Sequence, residues 1–168
     1  MDIAVFSDSH GKVSRMKKVI ENCGADVVIF LGDGISDIEL IEKTDRRRRI
    51  YTYVRGNCDF SFSDVPTVKE FEFECVRFLI MHGHTMNVKY GTELLEKYAR
   101  SRNADIVLYG HTHTPDNRYL SGENGEKPLY VFNPGSIGDP FSPSFGFIGI
   151  SNGQIITNYT EYKEGTRI

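Results

Sequence analysis

The chain of 168 residues has little of several things that would otherwise narrow its class. It carries only three cysteines, Cys23, Cys58 and Cys75, and no two are spaced as CxxC. So sparse and odd a set excludes a disulfide framework and a thiolate zinc knuckle, and it fits a reducing, cytoplasmic location. No apolar run approaches the ~18 residues of a membrane span, so no membrane partner is expected. The first residues, Met1 to Phe6, lack the basic-then-apolar order of a signal peptide. Positive charge is not in excess: 20 Lys and Arg stand against 23 Asp and Glu, a formal net charge of -3. Nothing global therefore recruits a polyanion, and nucleic acid is not expected as a partner. Pro/Ser-rich linkers, low-complexity tracts and internal repeats are missing too. At ~150 residues per domain, residues 1–168 read as one domain, large enough to bury a core.

What is present changes type along the chain. Ile3 to Phe6 is a short apolar run of the kind that fills a buried strand. Residues 12–22 place Val13, Met16, Val19 and Ile20 at helical spacing, with Gly24 as the expected C-cap. Residues 26–31 form a second buried strand, 35–43 a short helix with Ile35, Ile38 and Leu40 or Ile41 on one side, and 50–54 a third strand. This βαβαβ order predicts a sheet that is parallel in its first half. Residues 71–74 and 78–81 read as a strand pair, 91–102 as a helix and 106–109 as another buried strand. Near the end, 145–150 and 155–157 flank Asn152-Gly153, a strong hairpin signal. An α/β/β/α sandwich of two mixed β-sheets flanked by helices accommodates both halves.

Five histidines are present, at positions 10, 82, 84, 111 and 113, and each follows a buried-strand pattern within a few residues. Asp8, Asp33 and Asn57 do the same after the first three strands. The separations are similar: 25 residues from Asp8 to Asp33, 24 to Asn57 and 25 to His82. A strand, a crossover and a return need roughly this length. In α/β sheets the loops at the carboxyl ends of strands converge on one edge, where ligands bind. One isolated histidine would meet only a local need. All five together with these acids point to a shared site.

Imidazole, carboxylate and amide donors without thiolate suit manganese first, with nickel, zinc, iron or magnesium as alternatives. There are more donors than one ion uses. A shared carboxylate can bridge two divalent metal ions ~3.5–4 Å apart, an arrangement that clamps the attacking and leaving oxygens of an in-line displacement. A metal-bound hydroxide attacking a phosphoryl centre is the chemistry such a site favours. Glycines flank the donors in Gly32-Asp33-Gly34, Gly56-Asn57, His82-Gly83-His84 and Gly110-His111, as sharp strand exits require.

Asp8-Ser9-His10, Gly32-Asp33, Gly56-Asn57-Cys58-Asp59, His82-Gly83-His84 and Gly110-His111-Thr112-His113 resemble the five ordered motifs of calcineurin-like metallophosphoesterases. The length, Asn133-Pro134-Gly135-Ser136 and the closing hairpin are similar to its small YfcE-like phosphodiesterase group. The resemblance implies an αββα sandwich and a small phosphodiester as substrate. It implies that Asp8, His10 and His113 hold one ion, that Asn57, His82 and His111 hold the second, and that Asp33 bridges them. Where many members carry a histidine after Gly-Asn, this chain has Cys58, which leaves the general acid open and favours substrates with good leaving groups. His84 is the one histidine outside the ligand set. It either contacts the phosphate or donates a proton, or it supports the site from behind. Other functions within the superfamily's reach are phosphomonoester or nucleotide hydrolysis, and a non-catalytic interaction scaffold like the retromer subunit of this fold.

Several residues carry paired readings. Asp59 either orients a ligand or caps a turn. Arg55 either meets substrate phosphate or is a solvated strand-end charge. Arg46 to Arg49 reads as a solvated helix end favoured by the helix dipole, with a polyanion-steering patch as the alternative. Phe141, Phe145 and Phe147 read as sheet packing, with a homo-oligomer contact as the alternative. Asn133 to Ser136 is either a loop beside the site or a plain turn.

Overall fold

A computed structural model describes residues 1–122 and 125–165. The first half alternates strand and helix: β1 (Asp2–Phe6), α1 (Val13–Asn22), β2 (Val27–Phe30), α2 (Ile35–Thr44) and β3 (Ile50–Tyr53). Then come β4 (Val68–Phe73), β5 (Val76–Met81), α3 (Glu93–Ser101), β6 (Ile106–Leu108), β7 (Asp116–Leu120), β8 (Leu129–Asn133), β9 (Ser144–Ser151) and β10 (Gln154–Glu161). One sheet has the order β10-β9-β1-β2-β3 and the other β4-β5-β6-β8-β7. Strands β1, β2 and β3 are parallel, as the alternating pattern predicts, while β9 pairs antiparallel with β1 and with β10. In the second sheet β5, β6 and β8 are parallel and the edge strands β4 and β7 antiparallel.

Strand period explains the layering. Ile3 and Val5 point between the sheets, where they meet Phe78, Ile80, Ile106 and Leu108. Their neighbours Ala4 and Phe6 point outward against Met16, Val19, Ile35 and Ile38 of α1 and α2. Leu79 and Met81 of β5 likewise face Leu95 and Ala99 of α3. Because both faces of each central strand are covered, apolar residues occupy every position instead of alternating with polar ones. The result is the α/β/β/α sandwich of two mixed five-stranded sheets.

Differences from the sequence reading are local. Helix α1 ends at Cys23 in extended backbone, not on a Gly24 cap. Leu40 stands 53% exposed and Ile41 takes the buried position. The β4–β5 hairpin turns at Glu74-Cys75, both with positive φ, a two-residue turn without the usual glycine or asparagine. The turn at Asn152-Gly153 is as expected, but its strands are longer. Strands β7 and β8 went unread. β7 is a half-polar edge strand, Asp-Asn-Arg-Tyr-Leu, whose composition carries no strand signal; Leu129 to Phe132 is an apolar run that does. Arg49 is not solvated: its side chain is 2% exposed and grips both oxygens of Asp45 and the carbonyls of Ile20 and Ala25. Arg46, Arg47 and Arg48 are exposed, although Arg47 reaches the carbonyl of Cys23. Phe145 and Phe147 pack as read, whereas Phe141 is 92% exposed. No helix among the described residues is long and apolar enough to cross a membrane.

Candidate metal centre

The carboxyl ends of β1, β2, β3, β5 and β6 deliver their loops to one edge of the sandwich. Asp8 and His10 follow β1, Asp33 follows β2, Asn57 and Cys58 follow β3, His82 and His84 follow β5, and His111 and His113 follow β6. The chain turns sharply at these exits, and the donors themselves take the left-handed conformation: φ is 54° at Asp8, 44° at His10, 59° at Asp33, 67° at His111 and 60° at His113. Asp and His tolerate this region better than most residues, and such strain gathers at functional sites. Two flanking glycines serve close approach instead. A Cβ on Gly56 would lie 2.1 Å from Oδ1 of Asp33, and one on Gly110 would lie 1.9 Å from Oγ of Ser7.

Asp8 sits at the centre and is fully buried. Its Oδ2 accepts hydrogen bonds from the Ser7 hydroxyl and, at 3.0 Å, the His111 N–H. Its Oδ1 has no hydrogen-bond partner. That oxygen faces Nε2 of His113 at 3.2 Å and Nε2 of both His10 and His82 at 3.8 Å. A buried carboxylate oxygen left without a donor costs free energy unless something fills the space. His82, also fully buried, gives its Nδ1–H to the carbonyl of Leu31 at 2.8 Å, a bond that joins the two sheets. The carbonyl can only accept, so Nε2 is left to face Oδ2 of Asp33 at 3.4 Å and Nδ1 of His111 at 3.2 Å. Nε2 of His10 and Nε2 of His113 are 3.3 Å apart.

Among the described residues the donors fall into three overlapping groups whose ligand atoms lie within 4.8 Å of one another: Asp8, His10 and His113; Asp33, His82 and His111; and His10, Asp33 and Cys58. Asp33 belongs to two of them. Charges follow this arrangement. Burial would raise the Asp8 carboxyl, but His113 and His82 beside it hold it below the usual range. Asp33 is held well below that range, because His82 and the Cys58 N–H outweigh its burial. Burial opposes a charge on His82, yet Asp33 and Asp8 raise its pKa. Contact with Asp8 raises His113. Burial and then the charge of His82 push His111 down to about 4 and also lower His84. Burial and Asp33 push the Cys58 thiol up to about 11.

His84 is half-buried, its ring centre 5.5 Å from that of His82 and 6.1 Å from that of His111, and its Nδ1 has no partner. Asn57 is exposed and donates from Nδ2 to Sγ of Cys58 at 3.3 Å. Arg55 is half-buried with its Nε enclosed and unpartnered. Asp59 caps more than a turn. Its carboxylate takes the N–H groups of Asp33, Gly34, Ile35 and Gly56, so it fastens the Asp33 loop to the Asn57 loop. Among the described residues its carboxylate makes no hydrogen bond to Asn57's amide or to a histidine. The Asn133 to Ser136 stretch lies behind the site: Ser136 Oγ donates to the Asp8 carbonyl and Asn133 Nδ2 to the Gly110 carbonyl. These contacts favour the loop-beside-the-site reading of Asn133 to Ser136 over a plain turn, whereas Ser7 went unassigned in the sequence. Ser7's place beside Asp8 was the one available signal.

Two covered sheets with carboxylates and imidazoles converging on one edge form the architecture of a metallophosphoesterase-type fold with a candidate site for divalent metal. Residues 1–152 match the profile of the calcineurin-like phosphoesterase superfamily domain, and the chain belongs to that superfamily. It is 28% identical to phosphodiesterase YfcE of Escherichia coli K12 over 162 residues, covering 83% of this chain and 81% of the relative. Its fold superposes on a predicted phosphoesterase of Streptococcus pneumoniae at a TM-score of 0.77 and 23% identity, covering 96% of this chain and 89% of that one. It also superposes on Vps29 of Entamoeba histolytica complexed with zinc at a TM-score of 0.71 and 21% identity, covering 97% and 100%. The relatives' names are consistent with a phosphoric ester hydrolase.

Proposed function

We propose that this chain is a dinuclear metal-dependent phosphodiesterase. Asp8, His10 and His113 would hold one divalent cation, His82, His111 and Asn57 the other, and Asp33 would bridge them. The observation that carries this reading is the buried Oδ1 of Asp8, which has no hydrogen-bond partner and faces three imidazoles. Asp33 shares one donor group with His82 and His111, ligands of one proposed ion, and another with His10, a ligand of the other, which supports its bridging role. Two such cations supply Lewis-acid stabilisation of a phosphoryl centre and a water of lowered pKa, with manganese the first expectation for this donor set.

The chain's own residues do the rest. Ser7 and the His111 N–H hold one oxygen of Asp8 and so aim the other. The Leu31 carbonyl fixes the tautomer of His82. Asp33 stays anionic throughout the neutral range. His84, lowered by burial, faces the site as a neutral imidazole able to accept or donate a hydrogen bond to a phosphate oxygen. Neither it nor Cys58 is a strong acid, so the site favours esters with good leaving groups. Action on a diester rather than a monoester is supported by the name of the Escherichia coli relative.

One observation favours a second reading, a binding scaffold: Phe60, Tyr90 and Phe141 stand 85%, 93% and 92% exposed on segments that adjoin site residues. Elemental analysis of the purified protein, with hydrolysis of bis(p-nitrophenyl) phosphate across added manganese, nickel, zinc and magnesium, separates the two. Bound metal and turnover, both lost in Asp33→Asn and His82→Ala with circular dichroism unchanged, are expected. A protein without metal or turnover is a scaffold. Faster release from p-nitrophenyl phosphate overturns the diester assignment.

A further inference from the structure

We propose that Cys58 is a conditional ligand, which with His10 and Asp33 lets the centre capture thiophilic divalent cations such as cobalt(II), zinc or cadmium. This rests on the metal-centre reading above and deepens it. The Cys58 Sγ, a His10 ring nitrogen and an Asp33 oxygen lie within 4.8 Å of one another. Donors around one tetrahedral ion at ~2.0–2.3 Å stand closer than this, so a small inward turn of the thiol completes the set. Cys58 is exposed, the turn gives up only the weak bond its Sγ accepts from Asn57 Nδ2 at 3.3 Å, and its backbone is anchored by an N–H bond of 2.7 Å to Asp33 Oδ1. A separate feature points to a cation at the same place. The buried, unpartnered Oδ1 of Asp8 lies 3.8 Å from the Nε2 of the same His10.

The chemistry is a ligand exchange without redox. The sulfur–metal bond forms as the S–H bond gives its proton to solvent, while His10 contributes its neutral nitrogen and Asp33 its carboxylate. Hard cations such as manganese and magnesium prefer oxygen and nitrogen and leave the thiol aside, whereas softer ions draw it in. Sulfur then occupies the open, exposed side of the centre. The same protein therefore answers differently to hard and soft cations, and thiophilic ions bind tightly in a less productive arrangement.

Anaerobic titration of the full chain with cobalt(II), followed by absorption, tests this. The parent should show visible d–d bands and a near-ultraviolet thiolate-to-cobalt charge-transfer band. Cys58→Ser should lose the charge-transfer band and keep the d–d bands, and Cys75→Ser, which removes another exposed thiol, should keep both. A charge-transfer band that survives Cys58→Ser, or a parent with d–d bands alone, overturns the proposal. If d–d bands are missing as well, the metal-centre reading fails with it. A second measurement needs no variant: alkylation of Cys58, located by peptide mass mapping, should slow at least fivefold more with cadmium than with manganese. Equal rates also overturn the proposal.

Discussion

Removing the Asp59 carboxylate tests whether one side chain couples two loops of the centre. Its oxygens accept four backbone N–H groups: Asp33 at 2.8 Å, Gly34 at 2.9 Å, Ile35 at 3.0 Å and Gly56 at 2.8 Å. Asp59 is 5% exposed, so solvent replaces it poorly. Each buried donor left unpaired costs about 1–3 kcal/mol. If water entering the vacated space satisfies half of them, Asp59→Ala loses about 4 kcal/mol. For a chain of this size that lowers Tm by roughly 8–16 °C. Asp59→Asn keeps one acceptor oxygen but turns an amide N–H₂ toward the remaining donors, and should lose about 3 kcal/mol. Because the same carboxylate ties the Asp33 loop to Gly56-Asn57, metal content should fall below that of the parent in both variants. Urea denaturation in chelator gives the stability and elemental analysis the metal. If both variants stay within about 1 kcal/mol of the parent, the coupling argument is wrong, because the four bonds would then carry no net stability.

Gly110→Ala should cut turnover more than tenfold, because its Cβ would lie 1.9 Å from Ser7 Oγ and 2.9 Å from Asp8 Oδ2; steady-state rates and metal content check it, and near-parental values contradict it. Metal affinity should fall as pH drops, beginning above the ordinary histidine value of ~6.5. His82 and His113, both raised, take up protons there and must release them to a cation, while His111, held at about 4, does not compete. The apparent affinity should change by more than tenfold per pH unit, measured by competition with a metal indicator; a flat profile contradicts this. Arg49→Ala should destabilise the fold by about 3–5 kcal/mol and leave activity per folded molecule unchanged, since its partners Asp45, Ile20 and Ala25 lie at the opposite edge from the centre. Denaturation and specific activity together decide it.

Much of the fold was legible because burial on two faces leaves a plain trace. Ile3 to Phe6, residues 27–30 and Phe78 to Met81 are apolar without a break, and only a central strand under a helix layer explains that. Asn152-Gly153 announced its hairpin through the positive φ both residues take. The turn at Glu74-Cys75 left no such mark, because ordinary residues were forced there by the pairing of β4 with β5. β7 was invisible for a related reason. An edge strand with one face in water needs few apolar residues, and Asp116 and Arg118 instead form a charged pair.

The candidate donors could be named from their order behind successive strands and from the resemblance their motifs carry. What no string of residues reveals is which oxygen of Asp8 is held and which is left bare. That depended on the Ser7 hydroxyl beside Asp8 and on the His111 N–H, which arrives from 103 residues away, both settling on Oδ2. Nor could the sequence distinguish Asp59 gripping four backbone donors from Asp59 capping a turn, or show Cys58 standing beside His10 from 48 residues away. Chain order determines which side chains reach the edge of the sandwich, because each must follow its strand. Their spacing, burial and charge are set only when two sheets pack face to face, since those quantities belong to pairs of residues that are neighbours in space alone.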